Sequence, residues 1–270
     1  MNRAIGVFDS GMGGLSVLRA LRDALPHEHF IYIADSGHAP YGERDEAHVL
    51  ARSRAIVQYL AGQNVKALVM ACNTATAAAI HLLRTEHPGL ALIGVEPALK
   101  PAVALSKTGR IGVMATRSTL SSAKFRALLD SQAGRATFVV QACDGLADAI
   151  ERSAETGDAT KTIALCARYT SAMGQFGTKT GDIDTLVLGC THYPFASEQL
   201  RALLGPDVQL IDNGEAVARQ TRRLLAIESH APATSASAQV SLFTTGQPQT
   251  LQAAAQRWLG LSATARVLLF

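Results

Sequence analysis

Short apolar runs punctuate the chain at 4–8, 30–34, 67–71, 90–95, 110–114, 137–140, 185–189 and 208–211. Each gives way to Gly, Asn, Thr or Asp and then to an Ala- and Leu-rich stretch. Apolar runs this short predict strands, and the stretches between them predict helices, so the alternation reads as α/β with parallel sheets. Between the first two runs, Leu15, Leu18, Leu21 and Leu25 recur at helical spacing before Pro26 closes the segment. A crossover helix packed on a parallel sheet requires such a stripe.

The pattern also repeats. Leu68-Val69-Met70-Ala71-Cys72-Asn73-Thr74 aligns with Leu186-Val187-Leu188-Gly189-Cys190-Thr191-His192 at a shift of 118 residues. Ile5-Gly6-Val7 followed by Leu15-Ser16 is echoed by Ile111-Gly112-Val113 followed by Leu120-Ser121, and Val95-Glu96-Pro97 by Ile211-Asp212-Asn213. Apolar strands resemble one another by chance, but the matched cysteines argue for two similar α/β halves. Duplication puts Cys72 and Cys190 just past the carboxyl ends of equivalent strands, where open parallel sheets bind ligands. A Ser-, Ala-, Thr- and Pro-rich stretch at 228–239 reads as an exposed linker or mobile loop before a short strand-like tail.

Composition narrows the classes. With 270 residues and 48% hydrophobic content, the chain can bury one large core or two smaller ones. A net charge of +3 without like-charge blocks, and 5% aromatic residues, give no sign of a nucleic-acid partner. The apolar run at 4–8 ends at Asp9, too short for a signal peptide or membrane span, so no membrane partner and a cytoplasmic location are expected. Four cysteines without a Cys-x-x-Cys pair predict reduced thiols.

Four motifs carry candidate chemistry. Asp9-Ser10-Gly11-Met12-Gly13-Gly14 is a glycine-rich turn between a strand and a helix, able to present backbone N–H groups to an anion. It lacks the endings of a Walker loop or a dinucleotide fingerprint, so a carboxylate fits better than a phosphate. The alternative is a helix cap, with Asp9 or Ser10 satisfying the first amides. Pro40-Tyr41-Gly42 is a rigid turn, structural when taken alone, that follows a strand on the same sheet edge. Ala71-Cys72-Asn73-Thr74 and Gly189-Cys190-Thr191-His192-Tyr193-Pro194 each set a thiol where a strand gives way to a helix. A free thiol of pKa about 8.5 needs a helix dipole or a neighbouring base to be a thiolate at neutral pH, and His192 can be that base or the proton's next carrier. Cys143 and Cys166 lack such flanks and read as core or surface thiols. A zinc site of Cys72, Cys190, His192 and Asp9 lacks ligand spacing, and a cysteine protease would have one nucleophile too many.

Together, in this order, these motifs resemble the glutamate racemases, over a match running from the first strand to about Leu225. The resemblance implies two Rossmann-like, flavodoxin-like parallel-sheet domains related by pseudo-twofold symmetry, with the active site in the interdomain cleft. The expected domains are 1–96 plus 210–270, and 97–209. It further implies interconversion of L- and D-glutamate with no metal and no other cofactor, supplying D-glutamate for peptidoglycan, and a homodimer. By this carry-over Cys72 acts on D-glutamate assisted by Asp9, and Cys190 acts on L-glutamate assisted by His192 and Glu151. Asp9, Ser10, Tyr41, Gly42, Asn73, Thr74, Thr191 and His192 hold the substrate. The sequence departs from the family in the segment Cys143-Asp144-Gly145-Leu146-Ala147-Asp148-Ala149-Ile150, where Cys-Pro and an apolar stretch are usual, though Glu151 keeps its distance from Cys143.

Inversion at Cα suits such a repeat, because it needs a base on one face and an acid on the other, with donors to stabilise the carbanion and water excluded. Three rivals share some features: a racemase or decarboxylase for another substrate such as aspartate, a non-catalytic carboxylate-binding protein, and a pyridoxal-phosphate racemase. The last needs a Schiff-base lysine, and none of the six lysines lies in a motif.

Overall fold

A computed structural model describes residues 3–226 and 238–270, and the chain divides into two compact units, Met1–Val95 with Gly214–Phe270 and Glu96–Asn213. The first unit opens β1 (Ile5–Asp9), α1 (Leu15–Ala24), β2 (Phe30–Ala34), α2 (Glu46–Gly62), β3 (Ala67–Met70), α3 (Asn73–Glu86) and β4 (Ala91–Gly94). The second unit holds α4 (Leu99–Leu105), β5 (Arg110–Ala115), α5 (Arg117–Ser121), α6 (Ala123–Asp130) and β6 (Thr137–Ala142). It continues with α7 (Leu146–Thr156), α8 (Thr160–Met173), β7 (Thr185–Leu188), α9 (Ser197–Leu204) and β8 (Gln209–Ile211). The chain then returns to the first unit with α10 (Gly214–Leu224), β9 (Val240–Thr244), α11 (Pro248–Leu259) and β10 (Ala265–Val267).

Both sheets are parallel. The first has the order β10-β9-β2-β1-β3-β4 and the second β6-β5-β7-β8. The second order reproduces the β2-β1-β3-β4 portion of the first, and the register agrees as well: Ile5 pairs Ala67 where Ile111 pairs Thr185. The repeat in the sequence is therefore a repeat of strand pairing, with β3 and β7 as counterparts. Chain direction then puts all the strand-following loops of each sheet at one edge.

Local sequence explains these elements. Leu15, Leu18, Leu21 and Leu25 are all buried, and each such side chain contributes roughly 1.5–3 kcal/mol by leaving water. Strands β1, β3 and β7 are buried along their whole length, which their unbroken apolar runs require. In the first unit Phe8, Ile33, Val57, Leu68, Ile80 and Leu83 share one core; in the second Ile111, Val113, Phe125 and Val187 share another.

Two features add to these expectations. Gln209, Leu210 and Ile211 of β8 pair with β7, and the second compact unit runs to Asn213. The tail is more than a strand, because β9, α11 and β10 form a further strand-helix-strand unit on the β2 edge of the first sheet. The expected linker at 228–239 lies outside the described residues except for its last two positions, of which Gln239 accepts the Phe30 N–H at 2.9 Å.

Candidate active site

In the first unit the candidate residues gather where β1, β2 and β3 end. Asp9 is the last residue of β1 and fully buried, and its Oδ2 accepts the Gly14 N–H at 2.7 Å. This is the capping role weighed for Asp9, and it pins the glycine-rich turn to the strand. Gly14 is required by space: a Cβ there would lie 2.6 Å from Asp9 Cβ and 3.0 Å from the Tyr32 hydroxyl, which itself donates to Gly11 O at 2.9 Å. The turn so fixed carries Ser10 to Cys72, whose thiol donates to Ser10 Oγ at 3.5 Å.

Cys72 lies two residues beyond β3 and is the N-cap of α3. Its Sγ accepts the Ala75 N–H at 3.4 Å, so the sulfur sits at the positive end of a 14-residue helix. Asn73 and Thr74 form the first turn of that helix, and both are buried.

Tyr41 and Gly42 begin a short 3-10 turn after β2. Tyr41 is buried, and its hydroxyl donates to Asp35 Oδ2 at 2.5 Å. Burial, then the charge and hydrogen bond of Asp35, push this hydroxyl far above its ordinary range, so it remains a phenol. Asp35 did not figure among the candidates from sequence. The signal that could have found it is its position directly after β2, matching that of Asp9 at the end of β1.

In the second unit Cys190 lies two residues beyond β7, the same station that Cys72 holds beyond β3. Gly189 makes the approach possible, since a Cβ there would meet Met114 O at 2.9 Å and Ala115 Cβ at 3.0 Å. Here the expected helix start is instead a 3-10 turn, Tyr193–Ala196, with Pro194 in its first positions and α9 following. Cys190 therefore has a neighbouring imidazole in place of a long helix. Its Sγ lies 3.6 Å from His192 Nδ1, while His192 Nε2 lies 2.6 Å from Glu151 Oε1 on α7. Burial opposes a charge on His192, but the hydrogen bonds and charges of Cys190 and Glu151 outweigh it and hold the imidazole well above its usual range.

Thr191 is buried beside this chain of groups. Cys143 and Cys166 are buried as well; burial pushes the Cys166 thiol up to about 11 and the Cys143 thiol higher. Gly145, with φ +74, is the N-cap of α7 and starts the helix that presents Glu151, so the divergent segment still delivers that carboxylate. Among the described residues no three His, Cys, Asp or Glu side chains gather so as to hold a metal ion, and no helix is long and apolar enough to cross a membrane.

Known proteins resemble this chain in sequence and in fold. Residues 5–221 match the family model described as Asp/Glu/Hydantoin racemase. The chain is 46% identical over 263 residues to a glutamate racemase of Ectopseudomonas mendocina, covering 97% of both chains. A glutamate racemase isoform from Bacillus anthracis superposes with a TM-score of 0.83 at 31% identity, covering 99% of this chain and 98% of that one. The Escherichia coli glutamate racemase, solved in complex with L-glutamate and activator UDP-MurNAc-ala, gives a TM-score of 0.84 at 31% identity over 98% of each chain.

Proposed function

The chain belongs to the glutamate racemases of the Asp/Glu/hydantoin racemase family, and on that footing we propose that it interconverts L- and D-glutamate by a two-thiol mechanism without metal or pyridoxal phosphate. The observation that carries the mechanism is the shared station of Cys72 and Cys190, each two residues beyond counterpart strands.

One sulfur, as thiolate, takes the Cα proton from one face of glutamate. The other, as thiol, gives its proton to the opposite face, leaving the two sulfurs with exchanged protonation and the substrate inverted. Each sulfur has its own means of bearing charge. Cys72 has the N-terminus of α3 and the Ala75 N–H. Cys190 has His192, whose charged form is favoured, against burial, by Cys190 itself and by Glu151. In this reading Cys72 acts on D-glutamate with Asp9 assisting, and Cys190 acts on L-glutamate with His192 and Glu151 assisting. Ser10, Tyr41, Gly42, Asn73, Thr74, Thr191 and His192 bind the substrate and shield the carbanion from water.

The family resemblance further supports a reading in which the enzyme supplies D-glutamate for peptidoglycan synthesis in the cytoplasm and acts as a homodimer. Complementation of a D-glutamate-requiring strain tests the first of these, and sedimentation tests the last.

Proton NMR of the metal-free protein in deuterated water, with L- and D-glutamate separately, tests the reaction. The expected result is loss of the Cα proton signal from both enantiomers, with racemisation failing in Cys72→Ser and Cys190→Ser. Exchange with aspartate but not glutamate would overturn the substrate. Racemisation persisting in either variant would overturn the two-thiol mechanism.

A further inference from the structure

The Asp35 carboxylate is fully buried and accepts four hydrogen bonds from residues far apart in sequence. Oδ2 accepts from the Tyr41 hydroxyl at 2.5 Å and Arg52 Nε at 3.0 Å; Oδ1 accepts from Arg52 Nη2 at 2.9 Å and Thr245 Oγ1 at 2.8 Å. Thr245 also accepts the Gly37 N–H at 3.1 Å and donates its own N–H to Ala34 O at 3.1 Å, so it holds both ends of the Asp35 turn. Beyond β10, the Phe270 ring lies over the Arg52 guanidinium, 5.3 Å from ring centroid to Cζ, and edge-on to Tyr59 at 5.6 Å. A bidentate guanidinium under an aromatic ring is fixed in direction as well as in charge.

We propose that Asp35, Arg52, Thr245 and Phe270 form a positioning clamp that sets the Tyr41-Gly42 turn for substrate, making the segment after β8 a working part of the glutamate site. The inference rests on the racemase reading above and goes beyond it. Tyr41 spends its hydroxyl proton on Asp35, so what the turn offers a ligand depends on where the clamp holds it. Two of the four clamp residues, Thr245 and Phe270, follow β9 and β10 on the β2 edge of the sheet. None of the four touches the reacting atoms; they act through Tyr41.

Steady-state kinetics in both directions, with thermal melting, on the full chain as wild type, Thr245→Ser, Thr245→Val and Phe270→Ala tests this. Thr245→Val removes the hydrogen bond to the buried carboxylate together with the one accepted from the Gly37 N–H, and is expected to raise the KM for glutamate at least about fivefold while kcat changes less. Thr245→Ser keeps the hydroxyl and is expected to restore the wild-type KM. Phe270→Ala, which frees the guanidinium without touching Asp35, is expected to raise KM in the same sense with little change in melting temperature. An unchanged KM in Thr245→Val and Phe270→Ala, or an equal rise in Thr245→Ser and Thr245→Val, would overturn the clamp while leaving the racemase reading intact. A wild-type protein that does not racemise glutamate would overturn that reading and the clamp with it.

Discussion

Glu151 on α7 and His192 beyond β7 stand 41 residues apart in sequence, yet Glu151 Oε1 lies 2.6 Å from His192 Nε2, leaving Nδ1 to face Cys190. The carboxylate thereby fixes which ring nitrogen faces the sulfur and favours the imidazolium. Glu151→Gln keeps a polar partner but removes the charge, so the imidazole pKa falls. Racemisation is expected to drop, and its alkaline limb to move to lower pH, as the imidazolium loses its carboxylate partner. The sign for stability follows from the raised value of His192 in the folded state. That contribution is fully present below about 6.5, the unfolded value, and is lost as pH rises through the folded pKa. Wild type should therefore exceed Glu151→Gln in stability most near pH 6, with the gap narrowing at alkaline pH. A pH-rate profile and melting curves across that window check both; an unmoved alkaline limb would remove Glu151 from the mechanism.

The four thiols divide by environment. Burial pushes the Cys166 thiol up to about 11 and the Cys143 thiol higher, so both stay protonated at pH 8. Brief iodoacetamide treatment of the folded protein at pH 8 is expected to modify Cys72 or Cys190 and spare the other two, with inactivation tracking the modification. Peptide mass spectrometry reads the sites. Cys166→Ala should keep racemase activity at a stability cost of about 1 kcal/mol for the small cavity, since the sulfur does no chemistry. Loss of activity in that variant without unfolding would contradict this assignment.

Much of this arrangement was legible in sequence, for a physical reason. Strands of parallel sheets are buried on both faces, so β1, β3 and β7 announce themselves as unbroken apolar runs, and residues just past such strands face ligand. Cys72 and Cys190 were visible because a duplicated strand carries each. The strand-helix-strand unit at β9, α11 and β10 was not. Strand β10 has three residues, and α11 buries only Leu251, Ala254 and Ala255, a stripe too weak in apolar character to register. The Asp35 cluster was hidden differently: its partners lie 6, 17 and 210 residues away, and no local pattern encodes a hydrogen bond across such separations.

Tyr41 shows how structure sharpens a role given by resemblance. Its hydroxyl proton goes to Asp35, so Tyr41→Phe is expected to cost about 1 kcal/mol of stability while Arg52 and Thr245 keep the carboxylate satisfied. The KM for glutamate should rise by less than about tenfold. A rise beyond roughly a hundredfold at unchanged stability would mean that the hydroxyl itself touches substrate.

The glycine-rich turn owes its shape to crowding. Gly14 has φ −60, open to any residue, so a substitution there meets neighbours and no backbone strain. A Cβ would stand 2.6 Å from Asp9 Cβ and 3.1 Å from Ala71 Cβ, atoms fixed to β1 and to the residue before Cys72. Neither can withdraw without moving the carboxylate that holds the Gly14 amide or the strand end that presents the thiol. Gly14→Ala is therefore expected to destabilise the protein by about 1–3 kcal/mol and to lower kcat by displacing Ser10 and Cys72, whereas Gly62→Ala, where an added Cβ meets nothing within 4 Å, should do neither. Melting curves and racemisation rates for the pair check this. If Gly14→Ala melts and turns over like wild type, the close packing of Gly14 on Asp9 does not set the geometry around Cys72.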